Sequence, residues 1–190
     1  SAGQTVFNNF SERELSSYML RAEYVMGDDL FVTATGRYDG TSVFRKENRW
    51  GFFPSVAIGY SLNNILGGDG LLSNAKIRLG WGQVGNQNIG PYSTFGGLRT
   101  NAFYSFDFAS STAGTVLNRF ESADLTWETT TQTNVGVDLE FLEGRGTVTL
   151  EYFTKNTTDL LLATPVPGTF GGGVINQNVG EVQNNGIDIA

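Results

Sequence analysis

Apolar and polar residues alternate along several stretches of the chain, and each alternation predicts a β-strand with one greasy and one polar face. Residues 54–62 set Pro54, Val56, Ile58, Tyr60 and Leu62 against Ser55, Ala57, Gly59 and Ser61. Residues 18–26 place Tyr18, Leu20, Ala22, Tyr24 and Met26 on one face and Arg21 and Glu23 on the other. The same reading applies to 30–39, 75–84, 133–141 and 146–153, with Phe153 breaking the last pattern, and a further strand starts at Gly186. No stretch of comparable length has helical apolar spacing. The chain is therefore expected to be all-β, with about seven antiparallel strands. What covers the greasy face, a protein core or lipid, decides the rest.

The connections bear on that choice. Three are short (Gly27–Asp29, Asn63–Asn74, Leu142–Arg145) and alternate with longer ones at 40–53, about 85–132 and about 154–185. Soluble sandwiches carry turn signals at a more even spacing. Short turns alternating with long loops, on strands of ~9–10 residues, match a transmembrane β-barrel. With the short turns inward, Tyr18, Tyr38, Trp81 and Tyr152 fall at the outer strand ends of the greasy face, and Tyr24, Tyr60 and Phe141 at the inner ends. Such aromatic girdles mark the two headgroup levels of a bilayer. The other face bears Arg21, Glu23, Arg37, Lys76, Arg78, Asp138, Glu140 and Glu151, a mixture of signs that suits pairing across strands on an inner wall. Seven strands do not close a wide barrel, so on this reading the chain is part of a larger one.

Composition excludes several classes. With 190 residues the chain is long enough for one domain, and 25 glycines, 14 phenylalanines and 4 prolines fit a turn-rich β-protein. A net charge of -7 without a basic run argues against nucleic acid. No run approaches the ~18 apolar residues of a membrane-spanning helix. No charged-then-apolar leader follows Ser1, so it is not expected to open a signal peptide. With no His and no Cys, a catalytic triad, a thiol nucleophile and an ordinary zinc site lack their parts. No enzymatic role and no cofactor are expected.

Four segments, in order, resemble SusC/RagA-type TonB-dependent outer-membrane transporters. "DGTSVFRKENRWGFFPSVAIGYSL" is similar to that family's Asp-Gly-Ser-Ser-Arg-Phe, Asn-Arg-Trp-Gly and Phe-Pro-Ser-Val run. "LLSNAKIRLGWGQVGNQNIGPY" resembles its Tyr-Gly-x-Thr-Gly-Asn-Gln segment, and "ADLTWETTTQTNVGVDLEFL" its Leu-Lys-Trp-Glu-Thr-Thr-x-Gln segment. "YFTKNTTDLLLATPVPGTFGG" with "NVGEVQNNGIDI" resembles the stretch before the family's next strand. Val43 and Val84 are modest departures.

The resemblance implies a plugged barrel of about 22 strands in the bacterial outer membrane, of which residues 1–190 are one part. The plug, the TonB box and the closing strand would lie outside the chain. It implies uptake of glycans or peptides too large for porins, driven through TonB, with a SusD-like lipoprotein as lid and a homodimer of transporter–lipoprotein pairs. The signature residues Arg49, Trp50, Gly51, Pro54, Gly85, Asn86, Trp127 and Glu128 are expected to shape loop–strand junctions.

Candidate binding chemistry lies in the long loop, where Asn86, Gln87, Asn88, Tyr92, Phe95, Tyr104 and Phe106 offer rings and amides to a substrate or the lid; packing within the loop is the bland alternative. Asp138 and Glu140 lie about 7 Å apart by strand rise, a spacing that suits a glycosidase pair, but every strand puts charges on that face. Gly171–Gly173 lacks the Lys-Ser/Thr of a phosphate loop and reads as a loop apex. Asn156-Thr157-Thr158 is a chance sequon, and the Asp69 loop has too few carboxylates for calcium. Two alternatives remain at this point: a soluble or secreted β-sandwich carbohydrate-binding module, and a passive porin or adhesin-type barrel.

Overall fold

The computed structural model describes residues 10–63, 72–105 and 111–190. The Asp69 loop and Phe106 lie outside the described residues, as does most of the Asn63–Asn74 connection. Seven strands form one antiparallel sheet: β1 (Leu15–Met26), β2 (Leu30–Thr41), β3 (Trp50–Ser61), β4 (Leu72–Asn86), β7 (Glu128–Phe141), β8 (Gly146–Thr158) and β11 (Glu181–Ile189). A second sheet, in the order β5-β6-β10-β9, is built from β5 (Gly97–Tyr104), β6 (Thr112–Arg119), β9 (Leu161–Pro165) and β10 (Val174–Asn178). The large sheet runs in sequence order apart from the excursions into the small one, and it does not close.

What covers the greasy face is now visible. Leu20 is 78 % exposed, Leu79 46 % and Leu150 41 %, so among the described residues no second layer packs on the apolar face. A sandwich buries that face; a barrel wall leaves it to lipid. The opposite face is hollow, with shallow concavities of about 330 and 540 Å³ lined by Thr33, Ala57, Gly80 and Asn134. The buried core lies elsewhere, at the outer ends of the strands, where Phe44, Phe53, Leu125 and Trp127 pack together.

The aromatic positions and the register together give the strand tilt. Tyr18 is in register with Phe52 through Tyr38, whereas Tyr152 reaches Ile58 through Val135 and Leu79. The outer line thus slides six residues inward over the five steps from β1 to β8. The inner line slides the same way: Tyr24 maps to Ile58 through Val32, while Phe141 lies four residues beyond Val137, which is in register with Tyr60 through Ile77. At about 3.3 Å per residue and about 4.8 Å between strands, both slopes correspond to a tilt of roughly 40–45°, the range in which barrel strands lie. Both aromatic lines lie level in a bilayer when the strands tilt by this amount.

The turns at Gly27–Asp29 and Leu142–Arg145 fall where the alternation stops, but the outer strand ends run further than expected. β2 continues to Thr41, β3 begins at Trp50, β7 at Glu128, and β8 reaches Thr158, so wall strands other than β11 have 12–15 residues rather than nine or ten. Past the lipid boundary neither face is greasy, so the ladder continues where the period-2 signal has gone. The long connection at about 85–132 contains β5 and β6, and the last long connection contains β9, a 3-10 turn (Gly168–Phe170) and β10. After that turn Gly171, Gly172 and Gly173 all have positive φ, and a Cβ on Gly173 would lie 2.6 Å from the carbonyl oxygen of Asn118. This is backbone geometry that glycine alone adopts easily.

Candidate functional site

The inner wall is braced by ion pairs. On β4 the guanidinium of Arg78 donates to both carboxylate oxygens of Asp138 on β7 (2.7 and 3.0 Å) and to Glu151 on β8 (3.1 Å). Asn134 donates to the other oxygen of Glu151 at 2.7 Å, and the Thr149 hydroxyl to Asp138 at 3.1 Å. Asp138 is therefore fully engaged in tying three strands together, which removes it from any acid–base pairing with Glu140. On the first strands the pairs form within a strand instead, Arg21 with Glu23 and Arg37 with Asp39.

At the outer rim the signature residues meet. The Trp127 ring packs edge-on against Phe44 and Phe53, with centroids 5.5 and 5.4 Å away. Its Nε1 donates to the Arg49 carbonyl at 3.2 Å, which also accepts from the Thr41 amide. Gly51 and Gly85 let the Phe53 ring lie flat on the backbone: an added Cβ would come within 2.6 Å of it at Gly51 and 2.0 Å at Gly85. Gly85→Ala is accordingly expected to cost about 1–3 kcal/mol by overpacking, read as a lower unfolding temperature of the assembled protein; an unchanged temperature would show that Phe53 moves freely. Asn86 Nδ2 donates to one oxygen of Glu128 (2.9 Å), and the Leu161 amide donates to the other (3.2 Å), so β4, β7 and β9 share one brace. Pro54, which has no N–H to give, sits where the β3–β4 ladder stops at Ser55 and Gly82. Trp50 points outward, its indole lying over Gly40 and stacked on Tyr38 (4.8 Å) and, more distantly, on Tyr18 (6.1 Å).

Above this rim the small sheet is tied down by side chains the sequence did not single out. Arg45 pairs with Glu121 and lies 5.1 Å over the Phe95 ring. Arg119 donates to the carbonyls of Phe95 (2.9 Å) and Tyr92 (3.0 Å). Asn178 exchanges hydrogen bonds with the Thr126 backbone and donates to the Asp159 carbonyl, joining the two long connections. Solvated-looking Arg, Glu and Asn residues in a loop carry no sequence signal for such roles.

The candidate contact residues do not converge on one pocket. Gln87 is buried and Asn86 belongs to the rim brace. Tyr92, with φ of 61°, lines a recess of about 270 Å³ with Glu12, Glu14, Ser42, Val43 and Pro91. Phe95 is half-exposed beside Arg45, and the Tyr104 ring covers Gly114 on the β5–β6 hairpin.

Residues 1–190 match the family model described as TonB dependent receptor-like, beta-barrel. The chain belongs to this family. It is 36 % identical over 181 residues to the TonB-dependent receptor SusC of Bacteroides thetaiotaomicron, covering 93 % of the chain and 18 % of SusC. It is 33 % identical over 182 residues to TonB-dependent receptor P3 of Formosa agariphila, covering 95 % of the chain and 18 % of that protein. Among solved structures it is similar to the RagAB peptide transporter, with a TM-score of 0.81, 26 % identity, and coverage of 93 % of this chain and 19 % of that one. The chain therefore spans about a fifth of the length of its relatives, as a SusC/RagA-type segment of a TonB-dependent barrel.

Proposed function

We propose that the chain forms part of the wall and outer cap of one barrel domain in an outer-membrane importer. The barrel takes up glycans or peptides under TonB, which acts through parts of the protein beyond this segment, with a SusD-like lipoprotein over the cap. The observation that carries this reading is the family match along residues 1–190, joined to the likeness to the RagAB peptide transporter. The exposed apolar belt between two aromatic lines supports placement in the outer membrane. Assembly of transporter–lipoprotein pairs as a homodimer is part of the same proposal. The cap supplies the contacts to lid or substrate: Tyr92, Phe95 and Tyr104 present exposed rings there, Asn86 is bonded to Glu128 at the root with Gln87 buried beside it, and Phe106 lies in the same segment of the sequence.

The β5–β6 hairpin tests this. Arg119 anchors its root to Tyr92 and Phe95, so residues 98–117 are removable with Gly97 and Asn118 joined by a short linker. In the full-length protein this deletion is expected to leave surface abundance unchanged while weakening lid association or growth on the imported nutrient. Normal lid association and growth at normal abundance would show that the hairpin is dispensable, and lost abundance would make it structural.

A further inference from the structure

The outward face changes character sharply above the apolar belt on β4, β7, β8 and β11. Leu79, Val135, Tyr152 and Ile187 form one register row, the last apolar one. The next rows outward, about 5 Å apart along the barrel axis, are hydroxyls and amides. Thr133, Thr154 and Asn185 continue from Trp81, and Gln83, Thr131, Asn156 and Gln183 follow. Gln83 donates to the Thr131 hydroxyl at 3.2 Å, which confirms the shared face. One row further out, Glu181 accepts from Asn156 at 2.6 Å.

Water alone is a poor explanation for so many uncharged groups. Outer surfaces facing bulk solvent usually carry Lys and Glu, and at these heights the concave face of the same strands does carry Glu128 and Lys155. A second copy of the chain is a poor occupant too, because protein interfaces centre on apolar and aromatic side chains and, apart from Trp81 at the edge of the belt, these rows are hydroxyls and amides. The rows are continuous with the lipid-facing belt and begin at its aromatic edge, where the headgroups of the same lipid layer lie. Grids of hydroxyl and amide groups match sugar hydroxyls, not phosphates, which call for Arg or Lys. We propose that this grid binds the saccharide headgroups of outer-leaflet glycolipid. The proposal rests on the membrane-barrel reading given above.

The test uses the full-length protein reconstituted with phosphatidylcholine, with or without lipopolysaccharide, and counts lipopolysaccharide retained per barrel after detergent extraction. The triple replacement Thr131→Val, Thr154→Val and Gln183→Leu is expected to lower the apparent affinity for lipopolysaccharide by about fivefold per lost hydrogen bond. Thr130→Val, on the opposite face of β7, should leave it unchanged. Each single replacement carries the same prediction at smaller size should the triple variant assemble poorly. Unchanged retention, an equal loss in Thr130→Val, or a change in oligomeric state without a change in retention would overturn the proposal. A fluorophore at position 150, quenched by bromine on lipid chains, separates the two readings. No quenching there would sink the membrane barrel itself, whereas quenching with unchanged retention would sink only the glycolipid grid.

Discussion

Replacing Trp127 with alanine is expected to destabilise the assembled protein by about 3–5 kcal/mol, the usual cost of deleting a buried tryptophan. The ring is 5 % exposed and touches both Phe44 and Phe53, so its loss opens a cavity in the buried cluster of the rim. The cavity would not collapse easily, because Phe53 is already pressed against Gly51 and Gly85. Trp127→Phe separates packing from hydrogen bonding. It keeps an aromatic ring but removes the Nε1 donor to Arg49, and should cost about 1 kcal/mol for the bond beyond any packing change. Unfolding of the full-length protein in detergent, followed by heat-dependent gel mobility and tryptophan fluorescence, reads both. A Trp127→Ala barrel as stable as the parent would mean that the rim cluster adds nothing to the wall beneath it.

Val137→Arg is expected to cost about 2–4 kcal/mol in a bilayer, the penalty for a cation at mid-depth on a lipid face. Val137 sits between Ile77 and Leu150 in register, one row inside Leu79 and Tyr152 and four residues outward of Phe141 on the inner aromatic line. The guanidinium has no carboxylate on that face, since the acidic residues of β7 and β8, namely Glu128, Asp138, Glu140 and Glu151, alternate to the other side, where Arg78 holds Asp138 and Glu151. Spin labels at the adjacent positions Val148 and Thr147 test the geometry without adding charge. The first should respond to lipid-soluble quencher and the second to aqueous quencher. Equal aqueous access at both positions would remove the barrel reading.

The inner brace and the outer rim differ in how visible they were. Arg78, Asp138 and Glu151 all stand out as polar residues on alternating strands, yet their distances along the chain, 60 and 73 positions, say nothing about who meets whom. Trp50, Gly51, Gly85 and Trp127 stand out by resemblance, but the reason for two of them, a phenylalanine ring lying on two glycines, appears only when β3 and β4 are side by side. Arg45, Glu121, Arg119 and Asn178 carried no signal. Their value is positional, because each crosses between loops that the chain separates widely.

By itself the sequence determined the strand class, the inner turns, the two faces and the aromatic levels of this segment, because all four follow from a period of two acting locally on each strand. It also determined that the wall is part of something larger, through its strand number. The tertiary structure alone decided where the strands end on the outer side, that the long loops form a second sheet, and that the buried core lies above the belt and not behind it. These depend on contacts between segments far apart in the chain, made where neither face is uniformly apolar, so no local periodicity records them.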